Sequence, residues 1–102
     1  MKKKIICFDV DNVICNTKNS NYKKSKPKKL AISKINELFK KGHKVILFTS
    51  RFMGRTKQNK KKSHQLGYNF TKKQLKKWGV KYNKLIMGKP SYDLIIWWFS
   101  HY

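Results

Sequence analysis

Apolar positions along the chain gather into short clusters separated by polar, lysine-rich stretches. Ile5-Ile6-Cys7-Phe8 is an unbroken, β-rich run too short for a helix, which reads as a strand buried on both faces, as in a parallel sheet. Leu30, Ile32, Ile35, Leu38 and Phe39 recur instead at helical spacing, entered near Pro27 and stopped at Gly42. Residues 45–48 form a second buried strand that ends in Thr49-Ser50. Strand, helix and strand of these lengths make a right-handed βαβ unit, so the two strands run parallel with their C-terminal ends adjacent. Thr71 is expected to cap a short helix that turns Leu75 and Trp78 inward and stops at Gly79. Residues 82–87 and 93–99 supply a third and a fourth strand. Residues 16–29 and 52–67 carry no sustained pattern and read as loops, the second with room for a short helix. The expectation is an α/β fold in a single domain, residues 1–102.

Two carboxylates stand out against this pattern. Asp9 and Asp11 follow the first strand at i, i+2, and they are half of the four acidic residues in the chain. Open α/β sheets place their chemistry outside the carboxyl ends of strands. Two carboxylates there divide the work of nucleophile and general acid/base, or hold a hard cation. The βαβ unit puts Thr49 beside Asp9 on topology alone. Arg51 and Arg55, the two arginines of the chain, follow at once, and arginine grips phosphate in bidentate fashion.

Charge widens the picture. Of 26 basic residues all but those two arginines are lysine, and the formal net charge is +22. Such a field attracts polyanions non-specifically and in a salt-dependent way. No run is long enough for a membrane span, and the lysine-rich start passes too quickly into Asp9 for a signal peptide, so a cytoplasmic location is expected. Cys7 and Cys15 lack metal-ligand spacing and read as reduced, buried thiols.

The run Phe8-Asp9-Val10-Asp11-Asn12-Val13 resembles motif I of the haloacid dehalogenase-like (HAD) phosphohydrolases. Thr49-Ser50 resembles motif II, and Lys89 in Gly88-Lys89-Pro90 resembles motif III, each after a predicted strand. The surrounding stretches, from Phe48 to Arg55 and from Met87 to Leu94, are similar to small capless HAD phosphatases of capsular polysaccharide biosynthesis. The resemblance implies a three-layer Rossmann-like fold without a cap domain and a Mg²⁺-dependent phosphatase acting on a phosphorylated sugar or a similar small metabolite. Asp9 would attack phosphorus to form an aspartyl-phosphate. Asp11 would protonate the leaving oxygen and later activate water. Thr49 and Lys89 would complete the catalytic set. Asn12, Ser50, Arg51 and Arg55 would line the substrate, and Asp9 with Asp11, the latter through its backbone carbonyl, would hold the metal.

The chain departs from this family at one place. Members carry an acidic pair at the end of the fourth strand, where this sequence has Trp97-Trp98, and indole does not ligate Mg²⁺. Asp93 lies at the other end of that strand, roughly 10 Å away at ~3.3 Å per residue. The C-terminal helix of the family is also missing, which leaves Trp97, Trp98 and Phe99 as an expected self-association surface. An impaired enzyme is therefore expected. Two other readings stay open: a catalytically inactive HAD-like domain that binds polyanions or nucleic acid, and a phosphatase of nucleic-acid ends.

Overall fold

A computed structural model describes residues 3–51, 60–88 and 95–97 of the chain. Four parallel strands form one sheet: β1 (Ile5–Asp9), β4 (Lys44–Thr49), β5 (Lys84–Met87) and β6 (Ile95–Trp97), in the order β5-β4-β1-β6. Between β1 and β4 the chain forms a small antiparallel pair, β2 (Cys15–Asn16) with β3 (Lys26–Pro27), and then helix α1 (Lys29–Lys40). Helix α2 (Lys60–Lys77) leads into β5. The topology steps outward from β1 through β4 to β5 and then returns to the free side of β1, so the connections diverge at β1.

Side chains alternate between the faces of the sheet, as a period of two requires. Ile6, Phe8, Val45, Leu47 and Leu85 share one core with Ile32 and Ile35 of α1 and Leu75 of α2. Cys7, Ile46 and Phe48 belong to a smaller cluster with Ile86. Both helices thus pack on one face. Two right-handed crossovers that step in the same direction lay their helices on the same side. The other face is also buried, with Cys7, Ile46 and Phe48 all less than a tenth exposed.

Helix α1 matches its apolar stripe, with Ala31, Ile32 and Ile35 buried, although Leu30 points outward. Lys41 caps it, and Gly42 follows at φ +93°, where an added Cβ would meet the Lys3 side chain. Helix α2 departs more from expectation. Thr71 is not its N-cap but lies well inside it, fully buried. Gly67, Thr71 and Leu75 recur every four residues and are all buried. Over residues 64–77 the small residues Gly67 and Thr71 share the inward face with Leu75, and Tyr68 packs partly buried against the core. At the far end Gly79 adopts φ +72° and closes the helix as expected. Residues 16–29, read as loop, contain the second residue of β2, all of β3 and a short 3₁₀ turn, Tyr22–Lys24. Among the described residues no helix is long and apolar enough to cross a membrane.

Candidate active site

Asp9 closes β1 opposite Phe48 of β4, and the Val10 N–H continues the ladder to the Phe48 carbonyl at 3.0 Å. The chain then turns sharply. Asn12 takes φ +69°, its N–H bonds to the Cys15 carbonyl at 2.7 Å, and its own carbonyl accepts from Lys28 Nζ at 3.0 Å. This turn keeps Asp9 and Asp11 beside each other at the carboxyl edge of the sheet. Thr49 ends β4 there, fully buried, in line with the register. Its carbonyl accepts the Gly88 N–H at 2.7 Å, so the segment leading into Lys89 starts at the same edge. Lys89 and Arg55 lie outside the described residues.

The two carboxylates are in opposite electrostatic states. Burial pushes the Asp9 carboxyl above its ordinary pKa, and the neighbouring Asp11 charge adds to this. The Val10 and Asp11 N–H groups and Arg51 pull in the other direction without cancelling it. Burial also opposes the charge on Asp11, but hydrogen bonds and charge from Arg51, together with the Thr17 hydroxyl, hold its pKa below the ordinary value. Two adjacent carboxylates with divergent environments are a recurrent signature of acid–base sites.

Arg51 is the hub of this arrangement. Its side chain is fully buried, whereas that of Asp11 is 20% exposed. Nε lies 3.0 Å from each Asp11 oxygen and Nη2 lies 2.8 Å from Oδ1. Nη1 donates to Gln74 Oε1 of α2 at 2.5 Å, and Gln74 Nε2 donates to the Tyr22 carbonyl at 2.7 Å. The guanidinium also lies over the Tyr22 ring, 4.8 Å from its centroid. Arg51, expected to grip a substrate phosphate, has its fork on a carboxylate of the chain itself. Buried ion pairs of this kind are tolerable only when their remaining polar atoms are bonded, and here they are.

Thr17 and Cys15 complete the surroundings of Asp11. Thr17 Oγ1 donates to Asp11 Oδ1 at 2.7 Å and lies 2.6 Å from Ser25 Oγ, while Cys15 Sγ lies 3.6 Å from the same carboxylate oxygen. Burial raises the Cys15 thiol pKa, which keeps it protonated and unreactive. Both cysteines are free and buried, in line with their expected state. Ser50 and Asn12 are exposed at the rim. Beside them a polar recess of about 710 Å³ is lined by Asn12, Asn16, Thr17, Lys24 and Lys26 among others.

No family model and no curated protein matches the chain. Among solved structures seven chains match. One is a crystal structure of an MCSG target from Vibrio cholerae, with a TM-score of 0.72 and 25% identity over 92% of this chain and 77% of that one. Its designation names no activity. The likeness places the chain among compact α/β proteins and leaves the chemistry to be argued from the site.

Sequence reasoning found Asp9, Asp11 and Thr49, which the structure brings together. It missed Thr17, Ser25, Tyr22 and Gln74. These residues come from segments with no sustained pattern and from a helix face read as polar, and only folding gathers them around Arg51. Among the described residues, no group of three or more His, Cys, Asp or Glu side chains could hold a metal ion. Trp97 pairs with Phe8, so the end of β6 runs alongside β1 just short of Asp9.

Proposed function

We propose that the chain is a HAD-type phosphatase, hydrolysing a phosphorylated sugar or a similar small metabolite through an aspartyl-phosphate on Asp9. The observation that carries this reading is the placement of two carboxylates in opposite electrostatic states at the carboxyl edge of β1, with Thr49 beside them. Both carboxylates are partly buried, and the Arg51 fork engages Asp11, which leaves Asp9 for the role of nucleophile. The Thr49 hydroxyl donates to Asp11 Oδ2 at 3.4 Å; by the resemblance it would turn from there to a phosphoryl oxygen, joined by nearby backbone N–H groups. The amide and ammonium groups of the neighbouring recess suit an oxygen-rich leaving group.

The donor set fits Mg²⁺ in a substrate-bridged form. The Asp9 carboxylate is a hard oxygen ligand whose charge is disfavoured by burial and by Asp11, and a cation beside it relieves that. The Asp11 carboxylate is committed to Arg51, so its backbone carbonyl is the remaining ligand that the resemblance assigns. Mg²⁺ readily binds through one or two carboxylates, with water and substrate phosphate supplying the rest. When bound, the ion supplies charge neutralisation at the phosphoryl oxygens. Lys89, by resemblance, would neutralise charge on the phosphoryl group and on Asp9.

Turnover of 4-nitrophenyl phosphate by the purified chain, with and without Mg²⁺, tests the reading. The expected result is slow, Mg²⁺-dependent hydrolysis that Asp9→Asn abolishes. Activity that survives in Asp9→Asn protein would exclude Asp9 as nucleophile. The net charge of +22 favours one alternative, a polyanion-binding domain without catalysis. Tight, salt-sensitive binding of single-stranded DNA with no turnover would select it.

A further inference from the structure

The recess beside the two carboxylates carries a charge that no acidic group answers. Lys18, Lys24 and Lys26 line it, all three exposed, and among the described residues no carboxylate does. None of the three lysines makes an ion pair among the described residues. Asp11 is taken by Arg51, and Glu37 of α1 pairs with Lys34 and Lys41. Between the ammonium groups stand amides, those of Asn12, Asn16 and Asn21 among them. An amide both donates and accepts, as a sugar hydroxyl does.

Backbone bonds fix the walls. Asn19 and Ser20 take φ +51° and +55°, and the Asn21 N–H closes that turn on the Lys18 carbonyl at 2.9 Å. The Lys24 N–H bonds to the Asn21 carbonyl at 3.1 Å, and Lys26 pairs with Asn16 across β2 and β3. Gln74 of α2 holds the Tyr22 carbonyl between them. The recess also meets the carboxylates. Asn12 follows Asp11 directly, and Thr17, another lining residue, donates to Asp11 Oδ1 at 2.7 Å. Its volume of about 710 Å³ is that of a small-molecule site.

We propose that this recess is the subsite for a second anionic group on the substrate, so that the phosphorylated sugar carries a carboxylate or a further phosphate on the part that leaves. This assignment rests on the phosphatase reading above and narrows its substrate class. The phosphate to be hydrolysed faces Asp9, the sugar hydroxyls meet the asparagines, and the second anion lies among the three lysines. An ammonium is a compact point charge without the planar fork of arginine, so it serves carboxylate and phosphate alike. An anion among three like charges also relieves their mutual repulsion.

The test compares three substrates that differ at one carbon: glucose 1-phosphate, glucuronate 1-phosphate and glucose 1,6-bisphosphate. The purified full chain is used with Mg²⁺, and 4-nitrophenyl phosphate reports phosphatase activity without a sugar. At least one of the two doubly anionic sugars should exceed glucose 1-phosphate in kcat/KM by about tenfold or more, the scale of one hydrogen bond to a charged group. Which of them gains tells carboxylate from phosphate. The net charge of +22 draws any anion to the chain, so total charge is matched in two double variants. Lys24→Gln with Lys26→Gln should remove most of the gain. Lys44→Gln with Lys81→Gln takes the same charge from the opposite edge of the sheet and should leave the gain in place. Lys18→Gln, one change in an exposed turn, lowers it in the same direction and serves if the first pair does not fold. Hydrolysis of 4-nitrophenyl phosphate with no gain over glucose 1-phosphate overturns the proposal and leaves the phosphatase reading standing. So does a gain that the recess variants lower no more than the control. No turnover of any of the four compounds overturns both.

Discussion

Replacing Asp9 by Asn removes a charge that burial and the Asp11 carboxylate both oppose, and it changes almost nothing in shape. A carboxyl whose folded pKa is raised destabilises the fold only when ionised, so its penalty is absent below the unfolded pKa and complete above the folded one. Asp9→Asn is therefore expected to raise Tm at neutral pH and to lose that advantage as the solution is acidified, as scanning calorimetry at two pH values would show. Asp11 has the opposite sign. Its folded pKa is lowered, so its contribution is present above the unfolded pKa and is lost as pH falls through the folded value. Arg51→Met leaves Asp11 partly buried and unpaired, and should cost about 3 kcal/mol, the low end for breaking a buried pair because Asp11 keeps some exposure. Denaturant melts should show most of that loss restored in the Asp11→Asn, Arg51→Met double variant. The sequence made Asp9, Asp11 and Thr49 legible because a strand end fixes position. It did not reveal the direction of Arg51, since residue type says what a side chain can grip and only the fold decides which anion comes within reach.

At the scale of elements the four strands of the main sheet were legible because each contains a compact apolar run. Helix α2 was half legible. Its middle buries a glycine and a threonine, which carry no hydrophobic signal, and the helix was read as starting at Thr71, just before leucine and tryptophan appear. The same feature makes a prediction. Thr71 Oγ1 is buried without a hydrogen-bond partner among the described residues. Thr71→Val keeps the shape and removes the unpaired hydroxyl, and should stabilise the chain by about 1 kcal/mol, read as a shift in the denaturant midpoint. The β2–β3 pair was not legible at all, because two-residue strands leave no periodicity to read. It nonetheless carries Cys15 to the Asp11 turn and frames Thr17 and Ser25, two of the contacts around the carboxylate.

For the whole molecule the dominant physical fact is its charge. Self-repulsion at +22 opposes compaction and salt screens it, so Tm should rise with ionic strength while affinity for single-stranded DNA falls. The same field discourages a free divalent cation at Asp9. Little Mg²⁺ binding is expected without a phosphate ligand, and isothermal titration with and without inorganic phosphate would measure it. Exchanging Trp97 and Trp98 together for Asp should strengthen that binding and raise turnover, since the end of β6 runs beside the strand that ends in Asp9. Tight Mg²⁺ binding by the unaltered chain would show that no anionic ligand is lacking there.

The position of β6 also sets the order in which the molecule assembles. Ile6, Cys7 and Phe8 pair with Ile95, Ile96 and Trp97, across nearly the whole length of the chain. Contacts so distant in sequence carry the largest closure entropy and form late. The β1–β4–β5 part joins through shorter crossovers, so until β6 docks β1 presents an open edge, with unpaired N–H and C=O groups beside Asp9. Among the described residues a three-residue strand covers it. Amides on that side of β1 should exchange with solvent by local detachment of β6, well before the sheet unfolds, and much faster than those of β4.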